Sequence, residues 1–567
     1  MPLAVLENGG ISVNVIENFD FVGEDTRKRK FLMPKKIVKT TGNISDVDKL
    51  LMKKPLQIGL GEPHYTEMES TDNENASVVL DFGCELHGGI RILVPNFTGD
   101  TPYPEIRITF GESLSEVESV VGQDTSTNDH SPRQFTVPIP RFSDTEWGQT
   151  GFRFVKIELM TKGVKFRIKS AVAVFVYHDF EYKGSFECDD KEVNKIFDTA
   201  AYTVHLCLQN MVWDGIKRDR LVWIGDMMIE TMTVRDLFGR LPIVEQSLDY
   251  IRDLTPLPGW MNTYSTYSMW WILILHDWFM ATGGIEYLEK QAEYLDGLTK
   301  QLCNHVKDDG TMTLPGYFLD WPTNGNPKTV AAIKSLLKMT LCASVELLNR
   351  LSLNETADLA TATIKRLDKK LYDNGEIKQI VAVQSLVGDV DSEDAAKIIE
   401  RNGIKGFSTF MGYHLLSALA KAGHYGEALT LMKEYYGEML RKGATTFFED
   451  YDPEWSQNSS TVDTMPTDGQ RDIHADFGAF CYKGLRHSFC HGWSAGPVPY
   501  LMEYVLGVNI EDEGCKTLRI TPHLDGLNWV KGKFPTPFGT VSIEHNRLEN
   551  GKISTKIDAP DGVKVIF

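Results

Sequence analysis

Short alternating runs of apolar and polar residues dominate the first third of the chain. Segments such as SVVLDF (77–82), IRITFG (106–111) and FRFVKIEL (152–159) are rich in Val, Ile and Phe. Gly, Pro, Asn and Asp separate these segments, and long helical periodicity is missing. The pattern predicts an N-terminal β-sandwich-like domain over residues 1–186.

Near residue 187 the spacing of apolar residues changes to steps of three and four, which is typical of amphipathic helices. Examples are KEVNKIFDTAAYTVHLCLQNM (191–211) and AAIKSLLKMTLCASVELLNRL (331–351). Many of these segments are paired through short loops that carry Gly, Pro or Asn. We expect residues 187–507 to form helical hairpins that close into a ring, with the loops at one end forming a funnel. An open superhelical stack is the alternative, but no fixed repeat of residue identity supports it.

Alternating segments return after residue 508. TLRITPHL (517–524), GTVSIEHN (539–546) and KISTKID (552–558) are separated by turns such as ENGK and PDG. They predict a small C-terminal β-module over residues 508–567. The whole chain is therefore expected to be a multidomain α and β protein, with a helical domain between two β-domains.

The composition narrows the range of partners. The 567 residues are 42% hydrophobic and 24% charged, which is ordinary for a globular protein with a sizeable core. The formal net charge is −19. Because an acidic surface repels phosphate groups and anionic lipid, we expect no nucleic acid and no membrane partner. A neutral substrate fits better.

Cysteine usage and the N-terminus bear on cofactors and location. The eight cysteines are scattered without a CxxC pair, so reduced thiols, no metal and no cofactor are expected. The N-terminus lacks the basic and apolar regions of a signal peptide. The most apolar stretch, 269–275, is too short for a membrane span. These features predict a cytoplasmic protein, or a secreted or periplasmic one if a signal peptide has been removed; the oligomeric state is left undetermined.

The densest group of chemically active residues is the segment 213–226. It combines three carboxylates, three cations and two tryptophans. Sugar-binding sites use this mixture, because carboxylates act as acids and bases and indole rings stack on pyranose faces. The simpler interpretation is a charged loop before a helix. In that case Asp226 would be a helix N-cap, and Asp214 and Arg218 would form a solvated pair.

Two further segments are candidates. Residues 443–455 place Glu449 and three other carboxylates between aromatic residues, although a polar surface loop would look similar. Residues 486–493 contain His491 beside Cys490 and Trp493; such a histidine is more often a hydrogen-bonded core residue than a ligand. Tryptophans 260, 270, 271 and 321 are additional candidates, but tryptophans in helices are usually core residues.

Other catalytic chemistries lack their sequence signatures. The chain contains no GxxxxGK[ST], no GxGxxG after a strand and no HExxH. A GxSxG nucleophile elbow is also missing. Phosphate-loop, dinucleotide, zinc-protease and serine-hydrolase functions are therefore not expected.

Together the three segments resemble the α-L-rhamnosidases of glycoside hydrolase family 78. The family's first motif is matched here by Asp214, Arg218, Asp219, Arg220, Trp223, Gly225 and Asp226. Residues 443–449, GATTFFE, match its second motif. Residues 488–491 match the Ser-Phe-Asn-His that follows, with Cys490 where Asn is usual. Weaker similarity at residues 80–92 and 520–544 extends the resemblance over most of the chain.

The resemblance implies an (α/α)6-barrel catalytic domain and an inverting glycoside hydrolase that releases terminal α-L-rhamnose from glycosides or oligosaccharides. It implies that Asp219 is the general acid and Glu449 the general base. The positions matching the rhamnose subsite are Asp214, Arg218, Trp223, Asp226 and His491.

Trp321, with Trp270 or Trp271, is expected to add a stacking face for the sugar or the group attached to it. One position departs from the family: Asp219 is one methylene shorter than the usual Glu, although an acid must reach the glycosidic oxygen. Two alternatives therefore stay open. One is an inverting glycosidase for another sugar on the same ring, and the other is a carbohydrate-binding homologue without turnover.

Overall fold

The structure, a computed structural model, describes residues 23–123, 125–478 and 482–567. Residues 1–22, on which the expectation about a signal peptide rests, and Cys481 lie outside the described residues. Strands occupy both ends of the chain and helices its middle. The strands are β1 (Lys28–Leu32), β2 (Lys36–Thr41), β3 (Asn43–Ser45), β4 (Thr66–Glu69), β5 (Ser77–Val94), β6 (Phe97–Thr98), β7 (Glu105–Gly111), β8 (Gln134–Pro138), β9 (Ser143–Leu159), β10 (Lys165–Ile168), β11 (Ser170–Tyr177), β12 (Ser185–Cys188), β13 (Val508–Ile510), β14 (Thr517–Ile520), β15 (Trp529–Thr536), β16 (Gly539–Arg547), β17 (Ile553–Asp558) and β18 (Lys564–Ile566).

Two sheets build the N-terminal domain. The larger has the order β1-β11-β5-β9-β7-β8, with β2 also paired to β5, and the smaller has the order β3-β4-β10-β6. Their apolar side chains meet in one core, to which Ile90 and Ile108 of the large sheet and Phe166 of the small sheet contribute. The alternation of apolar and polar residues thus turns one face of each sheet toward the other.

Helices occupy most of the segment from residue 191 to residue 505, with one short helix in the N-terminal domain. They are α1 (Leu114–Glu118), α2 (Lys191–Cys207), α3 (Met227–Phe238), α4 (Pro242–Asp253), α5 (Ser265–Thr282), α6 (Ile285–Asn304), α7 (Val330–Arg350), α8 (Asn354–Leu367), α9 (Lys378–Leu386), α10 (Ser392–Glu400), α11 (Gly412–Lys421), α12 (Tyr425–Arg441), α13 (Pro453–Ser456) and α14 (Pro497–Tyr500), the last continued by a π-turn at Leu501–Val505.

The contacts among these helices form a closed cycle. In order, α3 packs on α5, α5 on α7, α7 on α9, α9 on α11, α11 on α14, and α14 again on α3. The other long helices pack against this cycle, as α6 does on α5 and α7. The sequences explain the difference. Helix α5 is apolar on nearly all sides and is buried, whereas α6 has one apolar stripe that includes Leu288, Leu295 and Leu302.

The C-terminal strands form two further sheets, in the orders β12-β15-β16-β17 and β13-β14-β18. Strand β12 precedes the helices and pairs with β15, so the predicted boundary at residue 186 falls inside a strand that joins this sheet. Phe534 and Ile543 share one hydrophobic core with the helices. Among the helices that the structure describes, none has the length and hydropathy needed to cross a membrane.

Candidate active site

A small cavity lies at one end of the helical cycle and has a volume of about 180 Å³. Asp226 and Tyr264 stand immediately before helices α3 and α5, so this end carries the N-termini of those helices. Glu449 follows α12, and His491 precedes the turn that leads into α14. The cavity is lined by Asp214, Asp219, Trp223, Asp226, Tyr264, Tyr267, Phe318, Trp321, Glu449, Tyr482, His491 and Trp493.

The first acidic segment is folded into a compact loop by its own carboxylate. Asp214 Oδ1 accepts a hydrogen bond from the backbone N–H of Leu221 at 2.9 Å. The carbonyl of Asp214 accepts one from Gly492 at 2.8 Å, and Gly215 forms a bridge with His491. The first and third segments are therefore joined through backbone atoms. Burial raises the pKa of Asp214 well above its usual range, although the nearby His491 opposes this shift.

Asp219 is held at the cavity by residues from two domains. Its carboxyl oxygens lie 3.1 Å from Trp223 Nε1 and 3.3 Å from Arg218 Nη1. Its backbone N–H donates to Nδ1 of His130, a residue of the N-terminal domain, at 2.8 Å. Asp219 and Arg220 have φ values of 51° and 55°. This left-handed conformation is unfavourable for residues other than glycine, so the surrounding contacts must impose it.

Asp226 and His491 form a buried hydrogen-bonded pair. Asp226 Oδ2 lies 2.9 Å from His491 Nε2, and Oδ1 accepts from the Tyr267 hydroxyl at 3.0 Å. Asp226 stands before α3 but makes no side-chain cap, so its carboxylate serves the cavity rather than the helix. Burial alone would lower the pKa of His491. The hydrogen bond to Asp226 and the charge of Glu449 outweigh burial and leave that pKa raised.

Gly225 is required by the same arrangement. A Cβ atom at this position would lie 2.5 Å from the ring of Tyr267, which is too close for any side chain. The glycine of the first motif therefore lets Tyr267 reach Asp226.

Glu449 pairs with Arg218 inside the protein. The guanidinium Nη2 donates to Glu449 Oε2, and both side chains are buried. Burial would raise the pKa of Glu449, but the charges of Arg218, His491 and His487 lower it well below its usual range. Glu449 is therefore an ionised carboxylate next to the first acidic segment, although 231 positions separate it from Arg218.

The backbone around Glu449 is fixed by neighbouring loops. Its carbonyl accepts from Thr409 Oγ1 at 2.5 Å and from Trp493 Nε1 at 2.7 Å. Its N–H donates to the carbonyl of Ser488 at 3.0 Å. Arg218 also stacks on Tyr482, with its guanidinium carbon 3.3 Å from the ring centroid.

The other carboxylates of the second segment have different environments. Asp452 caps helix α13 through the N–H of Glu454, and Glu454 pairs with Lys405 at the surface. Asp450 is buried, and burial together with the charge of Asp320 raises its pKa to about 8. Of this segment, Glu449 is the carboxylate that lines the cavity.

Aromatic rings form the cavity wall. Trp223 packs edge-on against Tyr267 at 5.9 Å, and Trp321 packs edge-on against Phe318 at 5.0 Å. Both tryptophans line the cavity, and their stacking role stays a prediction.

Trp271 does not line the cavity. Its side chain is fully buried, its Nε1 donates to the carbonyl of Leu248 at 3.3 Å, and its ring packs against Tyr294 of α6. The expectation that Trp271 offers a stacking face is therefore corrected. Trp271 is a core residue that packs between α5 and the helices α4 and α6. Successive residues on a helix point about 100° apart, so Trp270 and Trp271 face different neighbours.

Several residues in or next to the cavity were not identified from the sequence. Tyr264 and Tyr267 are spaced three apart at the start of α5, a weak signal that any amphipathic helix could give. Tyr482 gives no such signal, since it lies outside all three segments. His130 is brought to Asp219 by the N-terminal domain, and the sequence of that domain contains nothing that predicts this contact.

Lys217, which precedes Arg218, links three parts of the chain. Its Nζ donates to the carbonyls of Leu485 and His487 at 2.7 Å and 2.6 Å. It also lies 2.7 Å from Glu116 and 3.3 Å from Glu112 of the N-terminal domain. Glu112 in turn accepts from the N–H of Phe489 at 2.8 Å. The N-terminal domain thereby fixes the positions of the first and third segments.

Glu112, Glu116 and His474 come close enough to be considered as metal ligands, with ligand atoms within 4.8 Å of one another. However, Lys217 pairs with both carboxylates, and Arg133 pairs with Glu116. Because cations already occupy the coordinating oxygens, this cluster is better explained as an ion-pair network.

The sequence of the helical part and the fold of the chain are similar to those of α-L-rhamnosidases. The model of the bacterial α-L-rhamnosidase six-hairpin glycosidase domain matches residues 181–376. The fold is similar to that of a GH78 family rhamnosidase from Bacillus sp. GL1, with a TM-score of 0.74 and 22% identity over 92% of this chain and 55% of that chain. No curated protein shows a match to the sequence.

Two sugar-bound structures are also similar in fold. The rhamnosidase of Klebsiella oxytoca with rhamnose bound has a TM-score of 0.66 and 19% identity, over 84% of this chain and 96% of that chain. The Streptomyces avermitilis α-L-rhamnosidase complexed with L-rhamnose has a TM-score of 0.69 and 16% identity, over 88% and 49%. This chain thus spans about half the length of the Bacillus and Streptomyces proteins. The resemblance to α-L-rhamnosidases predicted from the motifs is confirmed.

Proposed function

We propose that this protein, a glycoside hydrolase of the α-L-rhamnosidase type, releases terminal α-L-rhamnose from glycosides or oligosaccharides with inversion of the anomeric centre. One observation carries the proposal. Five polar residues of the three segments, Asp214, Asp219, Asp226, Glu449 and His491, converge on one cavity between aromatic rings. Carboxylates flanking a sugar-sized space are the requirement for glycoside hydrolysis.

The helical domain is proposed to be an (α/α)6 barrel over residues 187–507, between a β-domain at 1–186 and a β-module at 508–567. The cyclic packing order of the buried helices supports this architecture. In such a ring the loops at one end collect residues from distant parts of the chain. The cavity residues agree with it, since they come from the connections before α3, α5 and α7 and from those between α12 and α14.

The volume and the walls of the cavity favour a single terminal deoxy sugar as its ligand. At about 180 Å³ it has room for one pyranose ring rather than for the interior of a polymer. The walls are largely aromatic, and Trp223, Tyr264 and Trp321 can contact the apolar face and methyl group of rhamnose. Asp214, Asp226 and His491 can bind its hydroxyl groups. The solved relatives with bound rhamnose favour the same sugar.

In the proposed reaction, Asp219 donates its proton to the glycosidic oxygen as the bond to the anomeric carbon breaks. Glu449 takes a proton from a water molecule, whose oxygen forms the new bond to that carbon on the opposite face. The products are free rhamnose and the neutral alcohol that left, with Asp219 ionised and Glu449 protonated until a proton returns to Asp219 and leaves Glu449. Glu449 suits the role of base because Arg218 and His491 keep it ionised.

Asp219 is proposed to act despite its short side chain because its position is set by the backbone. His130 and Trp223 hold the main chain and the carboxyl group at the cavity, in the left-handed conformation described above. His130 is proposed as a positioning residue for Asp219. The imidazole of His130 contacts Asp219 and does not line the cavity.

A panel of aryl glycosides tests the substrate, and NMR of the first product formed tests the stereochemistry. Cleavage of the α-L-rhamnoside alone, with β-L-rhamnose released first, is the expected result. Cleavage of a different glycoside would favour a glycosidase for another sugar. Binding of rhamnose without cleavage, with Glu449→Gln no different from the wild type, would favour a carbohydrate-binding protein instead. Initial release of α-L-rhamnose would overturn inversion.

A further inference from the structure

Asp320 is a buried carboxylate that stands next to the candidate active site without lining it. It is 1% exposed, and it immediately precedes Trp321, which lines the cavity. Its side chain accepts hydrogen bonds from two neutral groups. Oδ1 accepts from the backbone N–H of Trp321 at 2.8 Å, and Oδ2 accepts from the hydroxyl of Ser408. The proposed reaction assigns no role to this carboxylate.

The bond to Trp321 belongs to a tight turn. Residues Trp321–Thr323 form a single 3₁₀ turn between α6 and α7. The carbonyl of Asp320 accepts from the backbone N–H and from the hydroxyl of Thr323, at 3.2 Å and 3.1 Å. Asp320 therefore holds both ends of the turn, with its side chain at Trp321 and its main chain at Thr323. This turn sets the position from which the indole ring reaches the cavity.

The bond from Ser408 leads to a different connection between helices. Ser408 lies between α10 and α11 and is 1% exposed. The next residue, Thr409, donates through its hydroxyl to the carbonyl of Glu449 at 2.5 Å. Two consecutive residues thus contact Asp320 on one side and Glu449 on the other. The connections that follow α6, α10 and α12 are joined through two side-chain hydroxyls.

The segment that contains Ser408 is anchored at both of its ends. Gln379 of α9 is 2% exposed and donates to the carbonyl of residue 406 at 2.7 Å. The ring of Phe410 stacks on Trp493 at 4.9 Å, and Trp493 donates to the carbonyl of Glu449 at 2.7 Å. A close-packed interior transmits small displacements, so movement of this segment would move Glu449.

The two hydrogen bonds explain why a carboxylate occupies this buried position. Burial among neutral donors costs free energy, and it raises the pKa of Asp320 to about 7. An apolar side chain of similar size would avoid this cost. However, it would leave the N–H of Trp321 and the hydroxyl of Ser408 without their acceptor.

We propose that Asp320 is a positioning residue of the candidate active site. Its carboxylate fixes the aromatic wall at Trp321 relative to the proposed base Glu449. The structural part of this proposal is independent of the substrate, and only its kinetic consequences rest on the proposed function.

Hydrogen exchange tests the connection without any substrate. Ser408→Ala removes the hydroxyl between the two connections and leaves Asp320 in place. Amide exchange, followed by mass spectrometry, should become about two- to tenfold faster in two peptides, one with Trp321 and one with Glu449, as expected for one lost hydrogen bond. Asp320→Ala should accelerate exchange in both peptides at least as much. Asp320→Asn should restore much of the protection, because its amide can accept from Trp321 and donate to Ser408.

Ser335→Ala is the matched control. Ser335 of α7 is also fully buried and donates to a carboxylate, that of Asp389, at 2.7 Å. Neither residue lines the cavity. This variant should leave exchange unchanged in the peptides with Trp321 and Glu449. Urea unfolding of every variant gives the stability that each has lost.

Kinetics and sugar binding separate the two ends of the connection. Thr409→Val has nearly the same shape but lacks the bond to Glu449, so kcat for an aryl rhamnoside should fall while the Kd for L-rhamnose stays near the wild-type value. Asp320→Ala should lower kcat and also raise that Kd about two- to tenfold, because Trp321 loses its support. The fall in kcat can reach about 10²-fold, the cost of a displacement of about 1 Å.

The proposal is overturned if Ser408→Ala leaves exchange around Glu449 unchanged, because Asp320 would then act only within its own turn. The same conclusion follows if Ser335→Ala accelerates exchange in both peptides, since lower stability alone would explain it. Wild-type kcat and Kd in Asp320→Ala would also contradict it. If the wild type neither cleaves rhamnosides nor binds rhamnose, the proposed function fails, and the exchange data still decide on Asp320.

Discussion

Arg218 and Glu449 form a buried ion pair that joins two acidic segments 231 positions apart. The pair has a chemical consequence as well as a structural one. The positive charge of Arg218 keeps Glu449 ionised in a place where burial would favour the protonated form. The base of the proposed reaction is thus prepared by a residue of the segment that supplies the acid.

Replacing Arg218 with Gln should raise the pKa of Glu449 and shift the acidic limb of kcat/KM to higher pH. Glu449 acts only when ionised, so a higher pKa removes activity from the acidic side first. A shift of about one to three pH units is expected from the loss of one close opposite charge. Rates against pH for an aryl rhamnoside measure it.

Arg220→Gln is the matched control, because Arg220 donates to the carbonyls of Gln149 and His130. The acidic limb of kcat/KM for Arg220→Gln should lie at the same pH as in the wild type. An unchanged limb in Arg218→Gln would show that Glu449 is not the group whose ionisation limits the reaction.

Asp219→Asn should reduce cleavage of a natural rhamnoside by about 10²–10⁴-fold, the usual contribution of general acid catalysis. An activated aryl rhamnoside should be affected less, because its leaving group departs without a proton. Glu449→Gln should impair both substrates, since water attack is needed in either case. Steady-state rates for the two substrates give the comparison.

Asp219→Glu distinguishes a site built for Asp from a site that has lost its acid. If His130 and Trp223 have positioned the backbone for the short side chain, the longer one should overshoot and lower activity. Restored or increased activity of Asp219→Glu would indicate that the site has lost its general acid. For the Asp219→Asn variant, Asp72→Asn, at a fully exposed side chain, serves as the control for a lost carboxylate.

Trp223→Phe should weaken L-rhamnose binding, because it removes a ring face of the cavity and the hydrogen bond to Asp219. Trp271→Phe is its counterpart in the core. It should leave rhamnose affinity unchanged and lower stability by about 1 kcal/mol through the lost bond to Leu248. Calorimetric titration with L-rhamnose and urea unfolding separate the two effects. Equal affinities of both variants would return Trp223 to a packing role.

Lys217→Met should destabilise the protein by about 3–5 kcal/mol, because it leaves Glu112 and Glu116 buried with too little positive charge. The midpoint of urea unfolding measures the change. Adding Glu112→Gln should restore part of the loss. The control is Lys531→Met, since the half-exposed pair of Lys531 with Glu187 contributes about 0–1 kcal/mol. If Lys217→Met lost no more stability than Lys531→Met does, the ion-pair network around Lys217 would be contradicted.

Asp450 and Asp320 should make the protein less stable as pH rises. Burial raises the pKa of Asp450 to about 8 and that of Asp320 to about 7. Between the unfolded pKa of about 4 and these values, the folded protein holds protons that the unfolded chain releases, so stability falls with pH. Asp450→Asn should remove part of this dependence and gain stability relative to the wild type at high pH.

Melting temperatures from about pH 5 to about pH 9 test this slope. Asp72→Asn should follow the wild type throughout. If the melting temperature of Asp450→Asn changed with pH just as that of the wild type does, Asp450 would be ionised in the folded protein.

The sequence by itself determined the order of the strand-rich and helical parts and identified three segments whose residues line the cavity. Periodicity distinguished helices from strands because the two expose an apolar face at different spacings. The three motifs were recognisable because their residues are local. Asp214, Asp219 and Asp226 lie within one segment, and Glu449 and His491 lie in two others.

Only the tertiary structure decided which of these residues meet. Trp271 and Trp321 are equally plausible in the sequence, but the direction of a helical side chain depends on which helices surround it, and Trp271 faces the core. The contacts of His130 with Asp219 and of Lys217 with Glu116 join separate domains. Such contacts leave no local pattern, because they depend on how domains pack rather than on the spacing of residues along the chain.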